Sequence, residues 1–206
     1  MRIILLSILV LVSTNLKAQF ADEFDDNKYG WTEISGKDGE ALIIDGKMRI
    51  ECFRGARSIY EPILTSTGEP NYIETHFYAP IDFNKDFTIS TNIFVKKINE
   101  DNAFGLILDY IDDGNYLTFV ISEGKAMLLK FENYNLVGRI RADVKLKGQR
   151  KADVKLSVRS TFKKMEFFVN EMKALEVRYL ALSSNGVGFY VLGQQVVEFD
   201  NLTIVQ

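Results

Sequence analysis

The chain has 206 residues, with 25 Lys and Arg against 28 Asp and Glu, 15 Phe, 9 Tyr, 1 Trp and a formal charge of −3. So many aromatic residues at so small a net charge exclude a disordered chain, which is poor in aromatics and strongly charged. One Cys excludes an internal disulfide, and one His with that Cys excludes a His/Cys zinc site, which takes three or four such ligands.

The first predicted element is a targeting segment. Arg2 precedes the ten residues Ile3 to Val12 (IILLSILVLV), and a polar stretch follows that ends Leu16-Lys17-Ala18. A spanning helix needs about 20 apolar residues, so the run is too short to cross a bilayer. Ala18 supplies the small residue that signal peptidase requires. Residues 1–18 are therefore expected to be a signal peptide cut before Gln19, leaving a single domain over 19–206 with no membrane span and a secreted, periplasmic or cell-surface location. An uncleaved anchor is the alternative, because Leu16 is bulkier than the residue usually found two before the cut. Cys52 lies too far downstream to carry a lipid. Removing Arg2 and Lys17 brings the charge to −5.

The mature chain is written in strands. Apolar and polar residues alternate, or short apolar runs occur, at Ala41 to Ile44, Met48 to Phe53, Tyr72 to Tyr78, Phe87 to Val95, Ala103 to Tyr110, Tyr116 to Ile121 and Ala126 to Phe131. The pattern continues at Asp153 to Arg159, Met165 to Val169, Ala174 to Tyr179, Val187 to Leu192 and Val196 to Val205. Period two is the mark of a strand with one buried face. Asp45-Gly46, Asp112-Asp113-Gly114-Asn115, Glu123-Gly124, Asn170-Glu171 and Ser183-Ser184-Asn185-Gly186 punctuate these segments as turns. No window has helical periodicity. The pattern predicts an all-β, two-sheet antiparallel sandwich.

Between Arg139 and Lys164, ten basic and two acidic residues give a local charge of +8 and leave −13 elsewhere in the mature chain. Within it, Ala142-Asp143-Val144-Lys145-Leu146 is repeated as Ala152-Asp153-Val154-Lys155-Leu156 around Lys147-Gly148-Gln149-Arg150. Two copies are too few for a solenoid, so they read as a hairpin. Its lysines would either bind acidic glycans or outer-surface phosphates, or keep a strand edge from pairing. Nucleic acid is not an expected partner of an exported, net acidic chain.

Phe20-Ala21-Asp22-Glu23-Phe24 with Trp31, Asp45-Gly46-Lys47-Met48, Phe104-Gly105-Leu106-Ile107-Leu108-Asp109-Tyr110 leading to Asn115-Tyr116-Leu117-Thr118-Phe119, and Gly186-Val187-Gly188-Phe189 through Val197-Glu198-Phe199-Asp200-Asn201 carry a resemblance. In this order the chain resembles the concanavalin A-like lectin/glucanase superfamily, including its laminin G-like and 3-keto-disaccharide hydrolase-like domains. The resemblance implies a jelly roll with its ligand on a concave sheet. It also implies a structural calcium of the family 16 kind at Asp200, Glu23 and Gly46, the last two through main-chain carbonyls. Calcium takes such hard oxygen ligands; the plain alternative is an Asp200 that only bonds neighbouring backbone.

Retaining glycosidases place two carboxyl groups about 5 to 5.5 Å apart. Residues i and i+2 of a strand share a face at roughly 6.6 Å, so Glu-x-Asp-x-Glu supplies them. The resemblance implies that family 16 enzymes carry this arrangement on a central concave strand; the segment aligned with it, Asn115-Tyr116-Leu117-Thr118-Phe119-Val120, has no carboxylate, and Glu198-Phe199-Asp200 lacks the third acid. No Gly-x-Ser-x-Gly elbow accompanies His76 either.

What remains are aromatic and polar residues suited to sugar C–H faces and hydroxyls. Tyr72, Glu74, His76 and Tyr78 share one strand face. Tyr110, Tyr116 and Tyr134 occur beside Asp109, Asn115 and Asn133. His76, Asp109, Tyr110, Asn115, Tyr116 and Tyr134 are the candidate ligand-binding residues, against the plainer reading of a solvated strand face and tyrosines packed at sheet edges. Trp31 and Cys52 are expected in the core. The expected function is an exported lectin-like domain that binds a carbohydrate or glycoconjugate without cleaving it. The alternatives are a glycosidase of the 3-keto-disaccharide hydrolase-like type and a surface structural or adhesion module that binds a protein.

Overall fold

A computed structural model describes residues 20–55, 71–96, 101–144, 146 and 151–206. The expected signal peptide lies outside the described residues, as do Lys145 and residues 147–150 of the basic stretch.

The described chain forms fifteen strands: β1 (Phe20–Asp22), β2 (Ile34–Ser35), β3 (Gly39–Ile44), β4 (Lys47–Cys52), β5 (Tyr72–Tyr78), β6 (Phe87–Val95), β7 (Ala103–Asp112), β8 (Asn115–Ser122), β9 (Lys125–Glu132), β10 (Asn135–Asp143), β11 (Ala152–Thr161), β12 (Lys164–Val169), β13 (Met172–Arg178), β14 (Gly186–Leu192) and β15 (Gln195–Val205). One sheet runs β13-β12-β11-β6-β15-β4-β3-β2, with β1 added to β15, and the other runs β10-β9-β8-β7-β14-β5. Every pairing is antiparallel. This is the expected two-sheet sandwich, and its fold is the concanavalin A-like jelly roll. Among the described residues no helix is long and apolar enough to cross a membrane.

The repeated Ala-Asp-Val-Lys-Leu segments do not form the expected hairpin. Ala142 and Asp143 end β10, which pairs with β9 in the six-stranded sheet. Ala152 to Leu156 begin β11, which pairs with β6 in the other. Alternation specifies that a segment is extended but not which strand it joins. The first copy leaves its strand after Asp143: Val144 N–H donates to the Gly124 carbonyl, and Leu146 is 5% exposed in the core.

The main core lies between the sheets. Phe189 of β14 stacks on Trp31 at 5.0 Å between ring centroids and on Phe199 of β15 at 4.0 Å. Asp22, 1% exposed, ties the N-terminal strand to this core: its Oδ2 accepts the Trp31 Nε1–H at 2.8 Å and its Oδ1 accepts the Phe24 N–H at 2.9 Å. An Asp22→Asn variant must turn an amide against one of these buried donors. It should lose about 2 kcal/mol of stability, measurable by urea unfolding, because an unmatched buried donor costs roughly 1 to 3 kcal/mol.

The six-stranded sheet also carries an apolar cluster on its other face. Ile107, Val120, Met127, Leu129 and Tyr190 are each 0% exposed there. That explains why β7, β8, β9 and β14 read as near-continuous apolar runs instead of strict alternation.

Candidate functional site

Beside this cluster the same sheet face turns polar. Along β5, Ile73, Thr75 and Phe77 are buried in the sandwich, while Tyr72, Glu74 and His76 point the other way, as period two requires. They line a cleft of about 770 Å³. The segment containing Thr32, Ile34 and Gly36 to Gly39 forms its far wall, and Tyr110, Asp113, Tyr134 and Asn135 close one end. The far wall is fixed to β5: Thr32 N–H donates to the His76 carbonyl at 3.1 Å, and the Thr75 hydroxyl donates to the Thr32 carbonyl at 2.6 Å.

Two glycines bring the rings together. His76 lies on β5 and Tyr110 on β7, with β14 between them, so their backbones are roughly 10 Å apart. Yet their rings stack at 3.8 Å between centroids. The β14 residues between them are Gly186, level with Tyr110, and Gly188, level with His76. No side chain intervenes, and the neighbouring backbone leaves no space for one: a Cβ on Gly188 would lie 2.2 Å from the Thr75 carbonyl oxygen.

Asp109 acts one residue away from the cleft. Its φ is 52°, and the register against β14 slips by one residue between Ile107 and Tyr110. The extra residue reverses the facing, so that Tyr110 lies on the cleft face of the sheet where simple alternation would turn it into the sandwich with Leu106 and Leu108. The Asp109 carboxylate accepts the Ser183 N–H at 2.5 Å and the Ser184 N–H at 2.7 Å, which fixes the bulge. Burial pushes its pKa up, against these two hydrogen bonds.

Asn115 likewise joins two turns. Its side-chain amide donates to Asp112 at 2.7 Å, and its oxygen accepts the Asn133 N–H at 3.1 Å. That holds the β9–β10 turn, whose Tyr134 N–H donates to the Gly114 carbonyl at 3.0 Å. Tyr134 has φ 63° and is 63% exposed at the cleft end. A non-glycine residue in this left-handed conformation stores strain. Tyr116, by contrast, is 4% exposed and packs in the apolar cluster against Phe131. Of the six expected ligand residues, His76, Tyr110 and Tyr134 line the cleft, Asp109 and Asn115 position them, and Tyr116 lies in the adjoining cluster, to which Tyr110, 3% exposed, also belongs.

Glu74, read from the sequence as sharing the His76 face but not among the six candidates, lies in the cleft with Asp38, Asp113 and Lys37. Glu74 Oε2 is buried and has no hydrogen-bond partner among the described residues. Burial, with Asp113 and Asp112 nearby, pushes the Glu74 pKa up to about 8. Asp113 accepts the Tyr110 O–H at 2.5 Å. The Tyr110 pKa is raised, first by burial and then by this bond. Burial lowers that of His76, opposed by Asp113, which favours the neutral imidazole. Period two placed Glu74 beside His76 in the sequence; Asp113 carried no such signal, because its arrival depends on the bulge and the turn.

The three positions assigned to calcium lie at the other sheet. A Cβ on Gly46 would sit 3.8 Å from the Glu23 carbonyl oxygen, so these two main chains approach each other. Phe199 pairs with Met48, which puts Asp200 beside the start of β4 and the Asp45-Gly46 turn. The Asp200 carbonyl accepts the Thr91 hydroxyl at 3.0 Å, while its side chain shares a shallow groove with Lys47 and Glu198. Among the described residues no group of three or more His, Cys, Asp and Glu side chains could hold a metal ion. A cation here would depend on main-chain oxygens, which suits calcium.

A scan against protein-family models and a search of curated proteins give no match. Solved structures do match in fold. A carbohydrate-binding module, CBM66 from Bacillus subtilis, is 15% identical with a TM-score of 0.59, covering 86% of this chain and 96% of that one. A structure from work on endo-acting O-glycanases that initiate mucin breakdown, expressed by members of the human gut microbiota, is 10% identical with a TM-score of 0.62, covering 92% and 99%. The catalytic domain of an endo-1,3-β-glucanase (laminarinase) from Thermotoga petrophila RKU-1 is 9% identical with a TM-score of 0.59, covering 92% and 97%. These likenesses define a fold, the jelly-roll sandwich.

Proposed function

We propose that this protein is an exported carbohydrate-binding module that holds a glycan in the Tyr72, Glu74, His76, Tyr110 and Tyr134 cleft without cleaving it. The cleft itself carries the reading: ring faces for sugar C–H groups stand beside carboxyl and amide groups for hydroxyls, in a volume typical of small-ligand sites. The fold neighbours support it, since they include a carbohydrate-binding module and glycan-cleaving domains. The non-catalytic part rests on β8, whose cleft-side residues Tyr116, Thr118 and Val120 supply no carboxylate. A glycan array probed with the protein should give saturable binding to at least one polysaccharide class. Silence across cell-wall, storage and mucin-type glycans would remove the proposal.

One observation favours a second reading. Glu74 stays protonated near neutrality, as a glycosidase acid must. Turnover of aryl glycosides that disappears in Glu74→Gln would establish hydrolysis; no turnover leaves the binding module.

Export rests on the Ile3 to Val12 run, and a mature N-terminus at Gln19 is the expected result of sequencing secreted protein. Calcium is assigned to Asp200 with the Glu23 and Gly46 carbonyls, where its charge would brace the N-terminal segment against β4 and β15. Adding calcium should raise the melting temperature by about 3 °C or more, and Asp200→Asn should abolish the rise. An unchanged melting temperature would remove the metal.

A further inference from the structure

Glu74 and Asp113 share a cleft that Lys37 also lines, but Lys37 is not among the charged groups that act on Glu74. The charged groups that set the state of Glu74 are both acids, Asp113 and then Asp112. Asp38, on the far wall, is paired with Arg54, so that guanidinium serves another carboxylate. A buried carboxyl that only builds a fold is ordinarily hydrogen-bonded or paired with Lys or Arg. Among the described residues Glu74 Oε2 has no hydrogen-bond partner.

The rings around it complete the pattern. Tyr72 stacks on Tyr190 at 5.4 Å, and the other Tyr110 neighbour besides His76 is Tyr116 at 6.3 Å. Aromatic faces attract a cation through the ring quadrupole, most strongly where water is excluded. One Asp113 oxygen is taken by the Tyr110 hydroxyl, leaving its second oxygen as a further acceptor on the same side.

We propose that the cleft selects glycans bearing a free ammonium group, held by Glu74 and Asp113 beside the Tyr72 ring. This rests on the cleft being the glycan site and names its ligand class. A neutral hydroxyl can hydrogen-bond the protonated Glu74 but supplies no charge that would let it ionise beside Asp113. An ammonium supplies donors and the missing charge together, and it draws the proton off Glu74 as it binds. An N-acetyl group has one N–H and no charge, so acetylation removes the advantage. Uronic, sialylated and sulfated glycans are rejected by the same carboxylates.

The test is titration calorimetry in mildly acidic buffer, where amino sugars are charged, with glucosamine oligomers, matched N-acetylglucosamine oligomers, glucose oligomers and spermidine. The wild type should bind glucosamine oligomers about tenfold or more tighter than either neutral series. Glu74→Gln should bring that ratio close to one. A neutral series bound as tightly as the glucosamine series overturns the ammonium assignment and leaves the glycan site standing. Spermidine bound as tightly as the oligomers keeps a cation site and overturns its assignment to sugar. Silence toward all four overturns the ammonium assignment as well, and the glycan array then decides the wider reading.

Discussion

Replacing Glu74 by Gln should stabilise the protein at pH 7 by about 3 kcal/mol, an effect opposite in sign to most buried substitutions. The Glu74 pKa is raised from an ordinary 4.5 to about 8. Below about 4.5 both folded and unfolded chains carry the proton, and the group is neutral in its effect. As pH rises from about 4.5 to about 8, the unfolded chain ionises while the folded one does not, so stability falls by roughly 1.4 kcal/mol per unit. Above about 8 both are ionised and the loss is complete. His76 works in the opposite sense: its lowered pKa means that the folded state prefers the neutral ring, so stability falls as pH drops through the ordinary histidine range. The two slopes overlap, and only the variant separates them. Urea unfolding from pH 5 to pH 8 should show a falling stability in the wild type and a flat or rising one in Glu74→Gln. A variant that is less stable at pH 7, with the wild-type slope intact, would mean that Glu74 is not a buried acid without a partner.

Tyr134→Gly should separate stability from binding. The turn holds Tyr134 at φ 63°, a conformation that glycine adopts freely and tyrosine does not. Relief of that strain should stabilise the hairpin by about 1 kcal/mol, reduced somewhat because the Tyr134 ring lies against Gly114. The same change removes a largely exposed ring at the cleft end and should weaken glycan binding at least about tenfold. A residue kept at a stability cost at the mouth of a cleft is one whose side chain is used. A variant that is more stable yet binds as well as the wild type would assign the strain no role in binding.

Much of this was legible in the sequence, for physical reasons that also explain the rest. Twelve segments read as strands match observed strands to within about three residues, because period two and short apolar runs bounded by turn residues report burial directly. β1 and β2 were missed because three and two residues hold no period. β10 was missed because it is exposed or half-buried along its whole length and so does not alternate. The repeated segment misled because pairing is a tertiary choice between two sheets. The β5 face was visible as Tyr72, Glu74, His76 and Tyr78, but its partners were not. Asp113, the Gly186 and Gly188 gap and the far wall at 32–39 belong to the site only because a bulge at Asp109 and the order of strands bring them there. Asp109 and Asn115 carried a real signal, polar residues beside tyrosines, yet their hydrogen bonds place them behind the rings.

The chain contains one histidine, and it lines the cleft against Tyr110. Its imidazole is therefore a unique reporter of occupancy. The most direct measurement is the His76 ring resonance, followed by NMR while the best glycan from the array is titrated in. The account predicts a saturable shift of that one signal, with a midpoint equal to the calorimetric affinity and moved to higher glycan concentration in Tyr134→Gly. A glycan that binds the protein while the His76 signal stays still would place the site elsewhere and contradict it.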